Sequence, residues 1–227
     1  MPNGPLSADH MSLAVPSICI VTRVRGAAAS SERAALVARL SSAAEAGATM
    51  IQVRERHLQD RELLAFVRLL TDRVRPAGTH VLVNDRTDVA LAAGADGVHL
   101  KSHAPSAADV RTIVPAGFLI GRSVHSAAEA VGIHLSGGCD YLLFGTVFPS
   151  TSKPADHPVA GVAALASVCR GVSLPVLAIG GITVERAPEI AAAGAAGVAG
   201  ISLFADAANL PATVASLRDA LTVAGKA

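Results

Sequence analysis

The chain has 227 residues, of which 51% are hydrophobic and 16% charged, with a formal net charge of +1. That apolar fraction excludes an intrinsically disordered chain and is enough for the core of a sizeable domain. Near-neutral charge and 3% aromatic residues argue against a nucleic-acid-binding or membrane-surface protein.

Residues 1–16 lack a basic start and a sustained apolar stretch, so they are expected to form a flexible tail rather than a signal peptide. Residues 17–227 are expected to form one domain, placed in the cytoplasm. No apolar run reaches the roughly 18 residues a membrane span needs. ICIVT (18–22) reads as the first strand and 30–46 as the first helix. TMIQVR (49–54) leads into a helix over 60–75, HVLVND (80–85) into 85–93, and GVHL (97–100) into 107–114. FLIGRS (118–123) precedes a helix over 127–136, and YLLFGTVF (141–148) one over 161–169. PVLAIGG (175–181) precedes 184–193, and GVAGIS (197–202) precedes 211–224. Most of these runs are continuously apolar, as parallel strands covered on both faces are. AGATMIQV, AGADGVHL, GGCDYLLF and AGAAGVAG share a small-Gly-small opening ahead of every second strand, where the glycine can stop a helix in the left-handed region. Eight alternations predict a (β/α)8 TIM barrel. The alternative is a doubly wound open sheet, which usually has fewer strands, and no GxGxxG follows the first strand. Cys19, Cys139 and Cys169 are far apart in apolar text and read as reduced core residues.

In such a barrel the chemistry gathers at the C-terminal strand ends. That rim would hold Arg54, Arg56, Lys101, Arg122 and Lys153 against Glu55 and Asp85, a cationic pocket for a small polyanion. QVRER places Gln52, Arg54 and Arg56 on one face, since alternate strand residues share a side. Two arginines there can clamp diphosphate oxygens; the plainer reading is a salt-bridged rim with Glu55 and Asp60. In VNDR, Asp85 can hold Mg²⁺ and Asn84 can orient a ring or phosphate, while both also suit helix capping. GRSVHS brings Arg122, Ser123 and His125 to strand five. His125 is either structural or a direct participant, and Ser126 with Glu129 fits a capping box. FPSTSKP offers three hydroxyls, Ser150, Thr151 and Ser152, beside Lys153, which suits an anion or a solvated turn. Gly180 and Gly181 end strand seven, where a phosphate can approach bare backbone. Ile201 and Ser202 at the end of the next strand can add amide hydrogens and a hydroxyl. A double glycine also fits any tight turn. His99 faces either the core or the helix layer. The eight histidines include no HExxH pair or zinc spacing.

IVT, QVRER, VNDRTDVALAAGADGVHL, IGRSVHSAAEA, DYLLFGTVFPSTSKP, PVLAIGGIT and GAAGVAGIS, in that order over roughly 18–205, resemble the thiamine phosphate synthase/thiazole tautomerase family. The resemblance implies a (β/α)8 barrel. For a synthase it implies a reaction between hydroxymethylpyrimidine diphosphate and thiazole phosphate that yields thiamine phosphate and diphosphate, with Mg²⁺ as cofactor. The family's diphosphate and pyrimidine positions fall on Gln52, Arg54, Arg56, Asn84, Asp85, Ser123 and Lys153. Its hydroxyl loop falls on Ser150 and Ser152, and its thiazole-phosphate cradle on Gly181 and Ile201–Ser202. Two departures stand out. Arg56 replaces a usual lysine. After VHL, KSHA replaces Gly-Gln-x-Asp, so a magnesium-contacting carboxylate becomes Ala104. Lys101 is expected to compensate by meeting the diphosphate directly, with reduced magnesium dependence. The tautomerase branch commonly has a histidine after LFG, where this chain has Thr146, which does not titrate. Each branch thus lacks one expected residue, but the basic pair, the Ser-Thr-Ser-Lys loop and Asp85 fit a diphosphate substrate better. The synthase is therefore the favoured activity, ahead of the tautomerase and of a non-catalytic phosphate-binding barrel.

Overall fold

Each short apolar run becomes a parallel strand because a helix covers its outer side and seven other strands cover its inner side. The computed structural model describes residues 13–23, 30–150, 154 and 156–224. The chain runs β1 (Ser17–Val21), α1 (Ser30–Glu45), β2 (Met50–Val53), α2 (Asp60–Val74), β3 (His80–Asn84), α3 (Thr87–Ala93), β4 (Gly97–Leu100) and α4 (Ala107–Arg111). It continues with β5 (Leu119–Val124), α5 (Ala127–Ser136), β6 (Tyr141–Gly145), α6 (Gly161–Gly171), β7 (Val176–Ile179), α7 (Ala187–Ala192), β8 (Gly197–Gly200), α8 (Ser202–Ala205) and α9 (Leu210–Ala224). The strands close in sequence order, with β8 pairing parallel to β1, so the fold is the (β/α)8 barrel and not an open sheet.

Strand alternation splits the core in two. Cys19, Val21, Met50, Leu82, Leu119, Tyr141, Leu143, Leu177 and Ala199 fill the lumen. The intervening positions, such as Ile18, Ile51, Val83, Val98 and Ile120, pack under the helices. The helices meet them with matching stripes. In α2, Leu63, Phe66, Val67, Leu70 and Val74 are buried at three- and four-residue spacing. The helix starts where the Glu62 carboxylate accepts the Gln59 amide at 3.3 Å. The stop glycines of the internal echo, Gly47, Gly94, Gly137, Gly138 and Gly194, all have positive φ. Cys19 and Cys139 are buried and free, and Cys169 is free and half-buried.

Most differences from the sequence expectations lie at element ends. The expected tail falls largely outside the described residues, but Leu13 is buried and joins the lumen cluster. β6 stops at Gly145, although Val147 and Phe148 still donate to the Ile179 and Gly180 carbonyls at 2.9 and 3.0 Å. β8 stops at Gly200, and Ser202 opens α8, a short helix not anticipated. α3 begins at Thr87 because Asp85 has φ 60, a left-handed backbone incompatible with a helical start.

One polar staple ties the helix layer to the sheet. The Asp140 carboxylate, 4% exposed, accepts from Arg111 Nη2 and from the Ile120 amide, both at 2.6 Å. Asp140→Ala leaves a partly buried guanidinium and a buried amide without this acceptor. It is expected to cost about 3 kcal/mol and lower Tm by roughly 10 °C, read by calorimetry.

Candidate active site

The alternation that fills the lumen also builds the site. At the C-terminal end of the barrel the inward positions turn polar: Gln52 on β2, Asn84 on β3, His99 on β4 and Ser123 on β5. They line a cavity of about 190 Å³ together with Arg54, Arg56, Lys101, His125, Thr146, Ser150, Gly180 and Ile201. Two further pockets share walls with it. One, of about 260 Å³, is lined by Arg54, Arg56, Asn84, Asp85, Arg86 and Lys101. The other, of about 30 Å³, lies opposite between Ser150, Gly180, Gly181, Ile201 and Ser202. The result is a trough with a cationic end, a middle, and a glycine-lined end.

At the cationic end a hydrogen-bonded chain crosses three strands. Gln52 Nε2 donates to Asn84 Oδ1 at 3.2 Å, and Asn84 Nδ2 donates to Asp85 Oδ2 at 3.1 Å. Asp85 Oδ1 accepts the Lys101 amide at 2.8 Å, and Asp85 Oδ2 pairs with the Lys101 ammonium. The left-handed backbone at Asp85 turns its carboxylate toward β4. Arg54 is held at its backbone by Thr22 Oγ1 at 3.0 Å. Burial, and then repulsion from Arg56 and Arg23, lower the Arg54 pKa from its ordinary value. An anionic guest would relieve that repulsion. Asp60, one candidate for neutralising the arginines, instead pairs with Arg86 at 2.6 Å.

A magnesium ion would need Asp85, which already holds Lys101 and Asn84. Position 104 is alanine, and no group of three potential His, Cys, Asp or Glu ligands occurs among the described residues. The donor set fits an ammonium, and a divalent cation could use Asp85 only by displacing Lys101.

At the opposite end, Gly180 and Gly181 have φ of 99° and 63°. A Cβ on Gly181 would lie 2.3 Å from the Pro149 carbonyl oxygen, and one on Gly180 2.4 Å from Thr146 Cγ2. The double glycine is thus demanded first by the β6–α6 loop lying across it. The turn is clamped by Arg186, which donates to the Gly181 carbonyl at 2.6 Å and stacks 4.4 Å over the Phe148 ring.

The alternation corrects one expectation. Arg122 does not reach the rim cavity. It lies on the outer face of β5, between inward Gly121 and Ser123, and is 9% exposed. Its guanidinium donates to the carbonyls of Pro105, Ser102 and Ala104 at 2.7, 3.0 and 3.3 Å, tying down the loop after Lys101. Consecutive strand residues face opposite sides, so Arg122 and Ser123 could not both point inward. Thr151, Ser152 and Lys153 lie outside the described residues. The Ser126 cap is present, accepting the Glu129 amide at 3.1 Å, while Glu129 accepts the His125 amide at 2.7 Å. His125 Nδ1 donates to the Gly145 carbonyl at 2.6 Å, so in its neutral form His125 carries a bare Nε2.

His99, left open between core and helix layer, faces inward and is buried. Burial lowers its pKa from 6.5 to about 4, so it is neutral in the folded barrel at physiological pH. The unfolded chain therefore binds one more proton between those values. Its contribution is complete above pH 6.5 and is lost as pH falls through about 4. Stability should drop by about 3 kcal/mol over that window, and His99→Gln should flatten this part of a urea-denaturation series against pH.

A closed (β/α)8 barrel with a polar, arginine- and lysine-bearing trough at the C-terminal strand ends defines an enzyme class that handles small phosphorylated molecules. Residues 21–204 match the sequence profile of the thiamine monophosphate synthase family. The chain is 44% identical over 182 residues to thiamine-phosphate synthase of Methanoculleus marisnigri, covering 80% of this chain and 86% of that one. It is 36% identical over 184 residues to thiamine-phosphate synthase of Chloroflexus aurantiacus, covering 81% and 84%. The structure of thiamine phosphate pyrophosphorylase from Pyrococcus furiosus superposes with a TM-score of 0.79 at 32% identity, covering 92% of this chain and 96% of that one. The chain belongs to the thiamine monophosphate synthase family. No helix among the described residues is long and apolar enough to cross a membrane.

Proposed function

We propose that the barrel is a thiamine-phosphate synthase, a transferase that joins hydroxymethylpyrimidine diphosphate to thiazole phosphate in thiamine biosynthesis. The observation carrying this reading is the trough itself. It offers anion-binding chemistry at two ends, separated by a cavity of about 190 Å³. The Arg54, Arg56 and Lys101 end suits a diphosphate; the Gly181, Ile201 and Ser202 end suits a single phosphate on the partner substrate. Relatives named as synthases favour this activity over the tautomerase and over a non-catalytic barrel.

In the reaction, the bond between the pyrimidine methylene carbon and the diphosphate oxygen breaks, and its electron pair leaves with diphosphate. The thiazole nitrogen lone pair then forms the new carbon–nitrogen bond. Negative charge grows on the departing oxygen, so pre-aligned cations stabilise the transition state more than the ground state. In this reading Arg54 and Arg56, which line the cationic pocket, take that task, with Lys101 as a point charge. Gln52 and Asn84 present amides to the pyrimidine, and Ser123 donates from the lumen. Gly180, Gly181, Ile201 and Ser202 hold the thiazole phosphate, with Ser150 between the two ends. By resemblance, Lys153 belongs to the diphosphate and pyrimidine positions and Ser152 to the hydroxyl loop. Magnesium, the cofactor the family resemblance brings, would compete with Lys101 for Asp85, and no step here depends on it.

The test is direct. Purified protein is incubated with both substrates, with and without Mg²⁺, and thiamine phosphate and diphosphate are measured by chromatography. Stoichiometric appearance of both products supports the reading; failure to form either, with the barrel folded, sinks it.

A further inference from the structure

Three buried or half-buried polar groups lie in a row across β6, β4 and β5. Tyr141 Oη is 3.0 Å from His99 Nδ1, and His99 Nε2 is 2.8 Å from Ser123 Oγ. Tyr141 and His99 are 1% and 2% exposed, among otherwise apolar lumen side chains. The arrangement has a dedicated opening: a Cβ on Gly121 would lie 2.0 Å from Tyr141 Cζ, so the ring crosses the lumen only above a glycine. Ser123 is half-buried at the inner end and lines the same cavity as Arg54 and Lys101.

We infer that Tyr141 and His99 form a one-way hydrogen-bond relay that fixes Ser123 as a proton donor toward an anionic oxygen of the bound ligand. The direction follows from counting protons. Burial raises the Tyr141 pKa well above its ordinary value, so the phenol keeps its proton. Among the described residues the only hydrogen-bond partner of that hydroxyl is His99 Nδ1. A buried hydroxyl left without an acceptor carries the full desolvation penalty, so the phenol donates and Nδ1 accepts. A neutral imidazole has one N–H, which must then be on Nε2, where it donates to Ser123 Oγ. Ser123, having accepted, has its own proton for the cavity, where its hydroxyl has no other partner among the described residues. In the reverse polarity Ser123 would give its proton to a bare His99 Nε2 and face the anion with lone pairs only. Tyr141 does not line the cavity, and His99, which does, has both ring nitrogens engaged by Tyr141 and Ser123, so both are positioning residues acting through Ser123. Only the identity of the ligand, a diphosphate, rests on the synthase reading.

Two measurements test the relay. In the first, ¹⁵N-histidine NMR of the full chain reads the His99 tautomer, with the resonance assigned by its loss in His99→Gln. The expected result is a protonated Nε2 and a bare Nδ1; a protonated Nδ1 overturns the proposal whatever the protein catalyses. In the second, inorganic diphosphate is titrated calorimetrically. Ser123→Ala should weaken binding about tenfold and Tyr141→Phe about fivefold. Tyr141→Phe should change nothing further once Ser123→Ala is in place. Equal weakening in both backgrounds would mean that Tyr141 does not act through Ser123, and the relay fails. A wild-type protein that binds no diphosphate would count against the synthase reading, leaving the tautomer to decide the relay. Should Tyr141→Phe fail to fold, the wild-type tautomer again decides.

Discussion

Arg54→Ala is expected to lower kcat/KM for the diphosphate substrate by about a thousandfold while leaving Tm unchanged or slightly higher. Both halves come from the same physics. Arg54 is half-buried, and its guanidinium is crowded by Arg56 and Arg23, which together with burial lower its pKa. In the free protein that charge is a liability, so removing it does not harm the fold. In the transition state the same charge faces an oxygen gaining negative charge, and losing a pre-aligned donor there typically costs two to three orders of magnitude, about 3–4 kcal/mol. Arg54→Lys should recover part of the loss, because it keeps the charge but not the planar fork. Steady-state kinetics and a melting curve on the same preparations check both halves. Retained activity in Arg54→Ala would remove the diphosphate from this end of the trough.

Lys101→Ala should abolish measurable diphosphate binding, a loss of about a hundredfold or more. The variant removes a cation and also uncovers an anion. Asp85 Oδ2 pairs with the Lys101 ammonium and its Oδ1 accepts the amide of the same residue. Without the side chain, the carboxylate faces the incoming polyanion with less compensation. A second change isolates that contribution: Asp85→Asn combined with Lys101→Ala should bind diphosphate more tightly than Lys101→Ala alone. A chelator should weaken binding to the unmodified protein far less than Lys101→Ala does, because the ammonium already compensates the carboxylate a divalent cation would use. Calorimetry with inorganic diphosphate reads all three. A chelator effect as large as that of the lysine variant would return Asp85 to metal binding.

The barrel was legible because its signals are local. Continuous apolar runs, Ala-rich stripes and stop glycines each lie within one βα unit, and repeating them eight times leaves few topologies. Gln52, Arg54 and Arg56 were legible for the same reason, since alternation within a strand is a local rule. That rule also held the correction for Arg122, whose neighbour Ser123 already claimed the inner face. Arg186 was harder to see: its signal was only its place five residues after Gly181, and its role depends on Phe148 arriving from another loop.

The amino-acid order alone determined the eightfold alternation, the strand tips and the residues gathered there, because backbone period and side-chain hydrophobicity are properties of neighbours in sequence. Tertiary structure decided what those tips do to one another: that Asp85 meets Lys101, that the 146–149 loop makes Gly180 and Gly181 necessary, and that the lone tyrosine reaches Ser123 through His99. These pairings depend on cross-strand register and on loops crossing the rim, and both are set only when distant segments close the barrel together.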